Sequence, residues 1–120
     1  MPGLQNRLRD DLTAAMRARD RDTARVLRTL LSAIANAEAQ PQPDETPVGL
    51  RSDGVIAGAA DGLGAAEVAR RELTEQEIHA IVAAERDERL AAATDLTARG
   101  ATGPADALRT EASLLNRYLE

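Results

Sequence analysis

Apolar residues recur at helical spacing in two stretches, 4–39 and 73–120, and lose that spacing between them. In the first stretch Leu4, Leu8, Leu12 and Ala15/Met16 mark one side of a helix, because residues three and four apart share a face. The charged run from Arg17 to Asp22 interrupts the stripe. Asp20 is a candidate N-cap there, since its carboxylate can accept the free amide hydrogens of a first helical turn. A second helix then carries Val26, Leu27, Leu30, Leu31, Ile34 and Ala37 on one broad face.

The stretch 73–120 opens on Thr74-Glu75-Gln76-Glu77. This fits a capping box, in which the Thr74 hydroxyl and the Glu77 carboxylate reciprocally satisfy amide hydrogens. Ile78, Ile81 and Val82 supply the apolar stripe of a helix expected to run to about Ala98. Gly100 suits the left-handed turn that ends it. Gly103-Pro104 is expected to open a last helix with Pro at its first position, and Leu108, Ala112, Leu115 and Leu119 form its core face. The pattern predicts an all-α fold. Two αα-hairpins form a small helical bundle within one domain spanning 1–120.

Residues 40–72 follow neither period. Pro41, Pro43 and Pro47 stop any helix continuing from Ala39, and Gly49, Gly54, Gly58, Gly62 and Gly64 follow. A long Gly/Pro-rich surface insert is expected between the hairpins. Val48–Leu50 and Gly54–Ala57 are candidate strands of a short β-hairpin. The glycine cluster lacks the lysine of a phosphate loop and follows no strand signal, so phosphate binding is not expected there.

Composition narrows this picture. Leu, Ile and Val make a fifth of the chain, and Phe and Trp are absent, so much of the core must be built from alanine. Such a core implies closely approaching helices and modest stability, or help from self-association. All fifteen basic residues are Arg, and the net charge is −5, which argues against general binding of nucleic acid or anionic membrane. The charge is uneven. Residues 1–39 hold seven Arg against five acids, whereas 40–73 and 74–120 are both acidic. An anionic partner would therefore meet the first stretch. No cysteine is present, no apolar run approaches a membrane span, and the N-terminus lacks an apolar signal core. The expected compartment is the cytoplasm, with no membrane role.

Three groups of polar residues are candidates for chemistry. Arg17, Arg21, Arg25 and Arg28 fall at near-helical spacing. They are either a solvated face interleaved with Asp20 and Asp22 or a patch contacting nucleic-acid phosphates. The lack of aromatics nearby disfavours base stacking. Glu85 and Arg89 form an i,i+4 pair in the favourable order, with Glu111 a candidate neighbour on the next helix. They either brace the hairpin or form a docking site for a partner or an RNA phosphate. His79 is the only histidine, so no metal site is expected. Nothing supplies a nucleophile or an oxyanion site, so neither a catalytic residue nor a cofactor is expected. Tyr118, the sole aromatic, reads as a core anchor whose hydroxyl reaches the surface.

Taken together, these positions resemble the GatB/YqeY family. The first stretch carries Arg7-Leu8, Asp11-Leu12, Ala15-Met16, Asp20, Leu27-Arg28, Leu30-Leu31, Ala33-Ile34, Asn36 and Glu38. The second carries Leu73-Thr74 with Glu77, then Glu85, Arg89, Gly100, Glu111, Leu115 and Tyr118-Leu119. The chain departs from the family pattern at Leu96, where an aromatic is usual, and at Glu120, where Pro normally follows. The resemblance implies a YqeY-like helical module, related to the tail domain of a tRNA-dependent amidotransferase subunit. That family is associated with carbon–nitrogen ligase activity using glutamine as amido-N-donor. The kinase and amidase chemistry belongs to other domains, so the implied role is accessory, with tRNA or an amidotransferase as partner. The alternative is a protein–protein interaction module that kept the fold and lost the tRNA role.

Overall fold

Amphipathic stretches of this kind fold by burying one face each. In the computed structural model, which describes residues 3–39 and 72–120, they do so as four helices packed into a bundle. In chain order these are α1 (Leu4–Arg17), α2 (Arg21–Ala39), α3 (Glu75–Ala98) and α4 (Thr102–Asn116), closed by a single 3-10 turn, Arg117–Leu119. No strand occurs among the described residues. The candidate strands at Val48–Leu50 and Gly54–Ala57, the glycine cluster and most of the 40–72 insert lie outside them.

The chain divides into two compact units. One comprises Met1–Ile34 and Thr74–Glu120 and holds the bundle. The other is Ala35–Leu73, of which the structure describes the last turn of α2 and the two residues Glu72 and Leu73.

The core of the first unit is formed by Leu4, Leu8 and Ala15 of α1, then Ala24, Val26, Leu27, Leu30 and Ile34 of α2. Ile78, Val82 and Ala93 of α3 join them, with Ala105, Ala112 and Leu115 of α4 and Tyr118 beyond it. Helix α3 makes its most extensive close approach with α4. Three buried alanines, Ala93, Ala105 and Ala112, explain why: small side chains let two backbones come together. Ala93 and Ala105 escaped the sequence reading because alanine carries little apolar signal.

On α1 the expected stripe is narrower than its spacing suggests. At about 100° per residue, Leu8 and Ala15 fall within 40° of Leu4, while Met16 lies about 120° away. Met16 is accordingly 52% exposed.

Local signals set the helix ends. The Asp20 carboxylate accepts from the Thr23 amide at 3.2 Å and the Thr23 hydroxyl at 2.8 Å, starting α2. The capping box at α3 is complete: the Glu77 amide donates to Thr74 Oγ1 at 3.0 Å, and the Thr74 amide to Glu77 Oε1 at 2.9 Å. Helix α4 begins at Thr102, so Pro104 occupies the third helical position and not the first. It is still within the first turn, where a missing amide hydrogen removes no intrahelical bond.

The two interhelical turns share one hydrogen-bond pattern. After α1 the Asp20 amide donates to the Ala15 carbonyl and the Arg19 amide to Met16. After α3 the Ala101 amide donates to Leu96 and the Gly100 amide to Thr97. Both are Schellman turns, which require a left-handed residue just beyond the helix. Gly100 meets that requirement without strain at φ 82°, whereas Arg19 meets it at φ 59° with a full side chain.

Candidate functional site

The α1–Arg19–α2 turn has a consequence for charge. It gathers Arg19, Arg21, Arg25 and Arg28 around an open groove of about 640 Å³. Ala15, Met16 and Ala24 give the groove an apolar floor, and Asp20 and Asp22 complete its lining. Of the candidate cations from the sequence, Arg21, Arg25 and Arg28 are therefore brought together. Arg17, the last residue of α1, is exposed but does not line the groove. Arg19 was missed, because nothing in the sequence marks an arginine as a left-handed turn residue.

The two acids of the groove differ. The Asp20 carboxylate is held by Thr23, first through the hydroxyl and then through the amide, and these bonds lower its pKa. It is therefore committed to the helix cap. Asp22 is nearly fully exposed and lies 3.7 Å from Arg25. Arg19, Arg21 and Arg28 have no carboxylate partner among the described residues.

A charged network stands beside this groove. Arg89 of α3 donates from Nη1 to Glu85 Oε1 and from Nε to Glu111 Oε1 of α4, both at 2.9 Å. The same Nη1 reaches the Glu85 carbonyl at 3.0 Å. Arg25 Nη2 donates to the second Glu111 oxygen at 3.0 Å. Four side chains thus link α2, α3 and α4. Arg89 and Glu111 are only 13% and 14% exposed, while Arg25 is 59% exposed. Burial pushes the Glu111 carboxyl up, but the hydrogen bonds from Arg89 and Arg25 outweigh it and hold the pKa below the ordinary value. Burial likewise disfavours the Arg89 cation, and its two carboxylates more than restore it.

Tyr118 packs into the bundle with its hydroxyl donating to Asp11 Oδ2 at 2.6 Å, and the Arg7 guanidinium lies over its ring at 5.1 Å. Burial first, then this bond and the Asp11 charge, raise the phenol pKa well above that of a free tyrosine. His79 is exposed on α3. Among the described residues no group of three His, Asp or Glu side chains is placed to hold a metal ion. None of the helices formed by those residues is long and apolar enough to cross a membrane.

Comparison with known protein families, curated proteins and solved structures gives no match to this chain.

Proposed function

We propose that this chain is a GatB/YqeY-like accessory module that associates with tRNA, leaving glutamine-dependent amide formation to a partner enzyme. The observation that supports the reading is the groove. Three arginines free of carboxylate partners among the described residues, together with Arg25, line one concave surface of an otherwise acidic protein. Guanidinium groups suit phosphate oxygens because their fork of N–H donors matches two acceptors at once.

The test is a titration of the full chain with bulk uncharged tRNA. Binding should appear at about 50 mM salt and weaken on the order of 40-fold by about 200 mM if three phosphates are contacted. Arg21→Ala and Arg28→Ala should each weaken it and flatten the salt dependence. Lack of tRNA affinity at low salt, with and without an amidotransferase present, would sink the reading.

One observation favours a second reading, a protein–protein interaction module. Met16 is half exposed within the groove floor, where an apolar side chain could meet a partner's apolar residue. Capture of an RNA-free protein complex that Met16→Asp abolishes would support this reading over the first.

A further inference from the structure

Arg25 belongs to two arrangements at once. It lines the groove with Arg19, Arg21 and Arg28, and it also donates to Glu111 of α4 at 3.0 Å. The hydrogen bonds among the three other members do not involve it. Arg89 keeps hydrogen bonds to both Glu85 and Glu111 if Arg25 leaves, and Glu111 keeps Arg89. Arg25 is the exposed member, and exposed ion pairs are weak because water and salt screen them. It is therefore the detachable one.

We propose that Glu111 is an intramolecular competitor for Arg25, holding it against α4 until an RNA phosphate in the groove draws it away. The inference rests on the tRNA reading above. The phosphate must replace the bond that Arg25 gives up, so Glu111 lowers affinity for the polyanion. By linkage, bound RNA in turn loosens the tie between α2 and α4. Asp22 approaches the same guanidinium only to 3.7 Å and is almost fully solvated, so its competition is weaker.

The experiment measures bulk tRNA affinity at low salt for the full chain and its variants, with folding checked by circular dichroism. Glu111→Gln should bind about 2- to 5-fold more tightly, the range expected for an exposed ion pair. Asp22→Asn, which removes a charge from the groove itself, should have a smaller effect. In an Arg25→Ala background Glu111→Gln should change nothing. A Glu111→Gln protein that binds no better overturns the competitor role alone. So does an Asp22→Asn effect of equal size, or a Glu111→Gln effect that survives without Arg25. Wild-type protein that does not bind tRNA overturns the function reading and this inference with it. Should Glu111→Gln fail to fold, the side-chain guanidinium resonances of the wild type decide. On saturation with tRNA the Arg25 signal should shift more than that of Arg89, and an unmoved Arg25 signal overturns the proposal.

Discussion

Arg19 holds a backbone conformation that costs a side-chain-bearing residue about 1–2 kcal/mol, and it does so within the arginine-lined groove. Its counterpart Gly100 occupies the same place in the same hydrogen-bonded turn, where an added Cβ would meet only open space. The pair makes a matched test. Arg19→Gly should stabilise the protein by about 0.5–1 kcal/mol, part of the relieved strain being offset by the greater freedom of glycine in the unfolded chain. It should also weaken tRNA binding by removing one cation. Gly100→Ala should destabilise by about 1 kcal/mol with tRNA binding unchanged. Thermal melts read both; a lower melting temperature for Arg19→Gly would contradict the strain argument. Gly100 is legible in the sequence because glycine after a helical stripe has a conformational meaning. Arg19 is not, because arginine has none.

At the scale of elements, three of the four helices are started by carboxylates or hydroxyls that answer their first amide hydrogens, α4 having no side-chain cap, and these caps differ in reach. Thr74 and Glu77 cap their own helix, so Thr74→Ala should cost about 1 kcal/mol, seen as a lower thermal midpoint with unchanged helicity at room temperature. An unchanged midpoint would show that tertiary packing alone holds the end of α3. Helix α1 has no side-chain cap of its own. Its Leu4 amide donates instead to the Glu75 carboxylate in the first turn of α3, at 3.1 and 3.3 Å to the two oxygens. Tyr118 similarly ties the last 3-10 turn back to α1 through Asp11. The local caps at Asp20 and Thr74 could be read from adjacent letters. The Glu75 and Tyr118 bonds span 71 and 107 positions and leave no local pattern. Tyr118 can be checked directly, since no Trp is present and it is the only tyrosine. Its phenolate absorbance should rise only well above the ordinary value of 10.0, first because the ring is buried and second because Asp11 binds the protonated form. A folded pKa raised in this way adds stability below the unfolded value and loses it as pH climbs through the folded one. Titration at the value of a free tyrosine would show that the ring is not buried as described.

For the bundle as a whole, the alternation of helical stripes and breakers made the fold class readable, whereas the way its layers meet was not. The α3–α4 seam relies on alanines that read as filler, and a charged link joins α2 to both partners beside its apolar packing. Arg25 in particular reads along the sequence as one of four similar arginines, and only the arrival of Glu111 from 86 positions away sets it apart. That link makes acid stability a property of the assembled unit. The Glu111 carboxyl is held below its ordinary 4.5 because the bonds from Arg89 and Arg25 overcome the effect of burial. A depressed carboxylate contributes its full stabilisation above the unfolded pKa and loses it as pH falls through the folded value. Wild-type melting temperature should therefore be nearly flat from about pH 7 to pH 5 and decline below that. Glu111→Gln should melt lower at neutral pH, because Arg89 is left partly buried with one carboxylate fewer, and its acid decline should be shallower. The two curves should approach each other as pH falls further and wild-type Glu111 itself becomes protonated. Salt should narrow the neutral-pH gap only in part, since it screens the exposed Arg25 bond more than the sheltered Arg89 bond. Parallel curves across the whole range would mean that Glu111 stabilises by its packing and not by its charge.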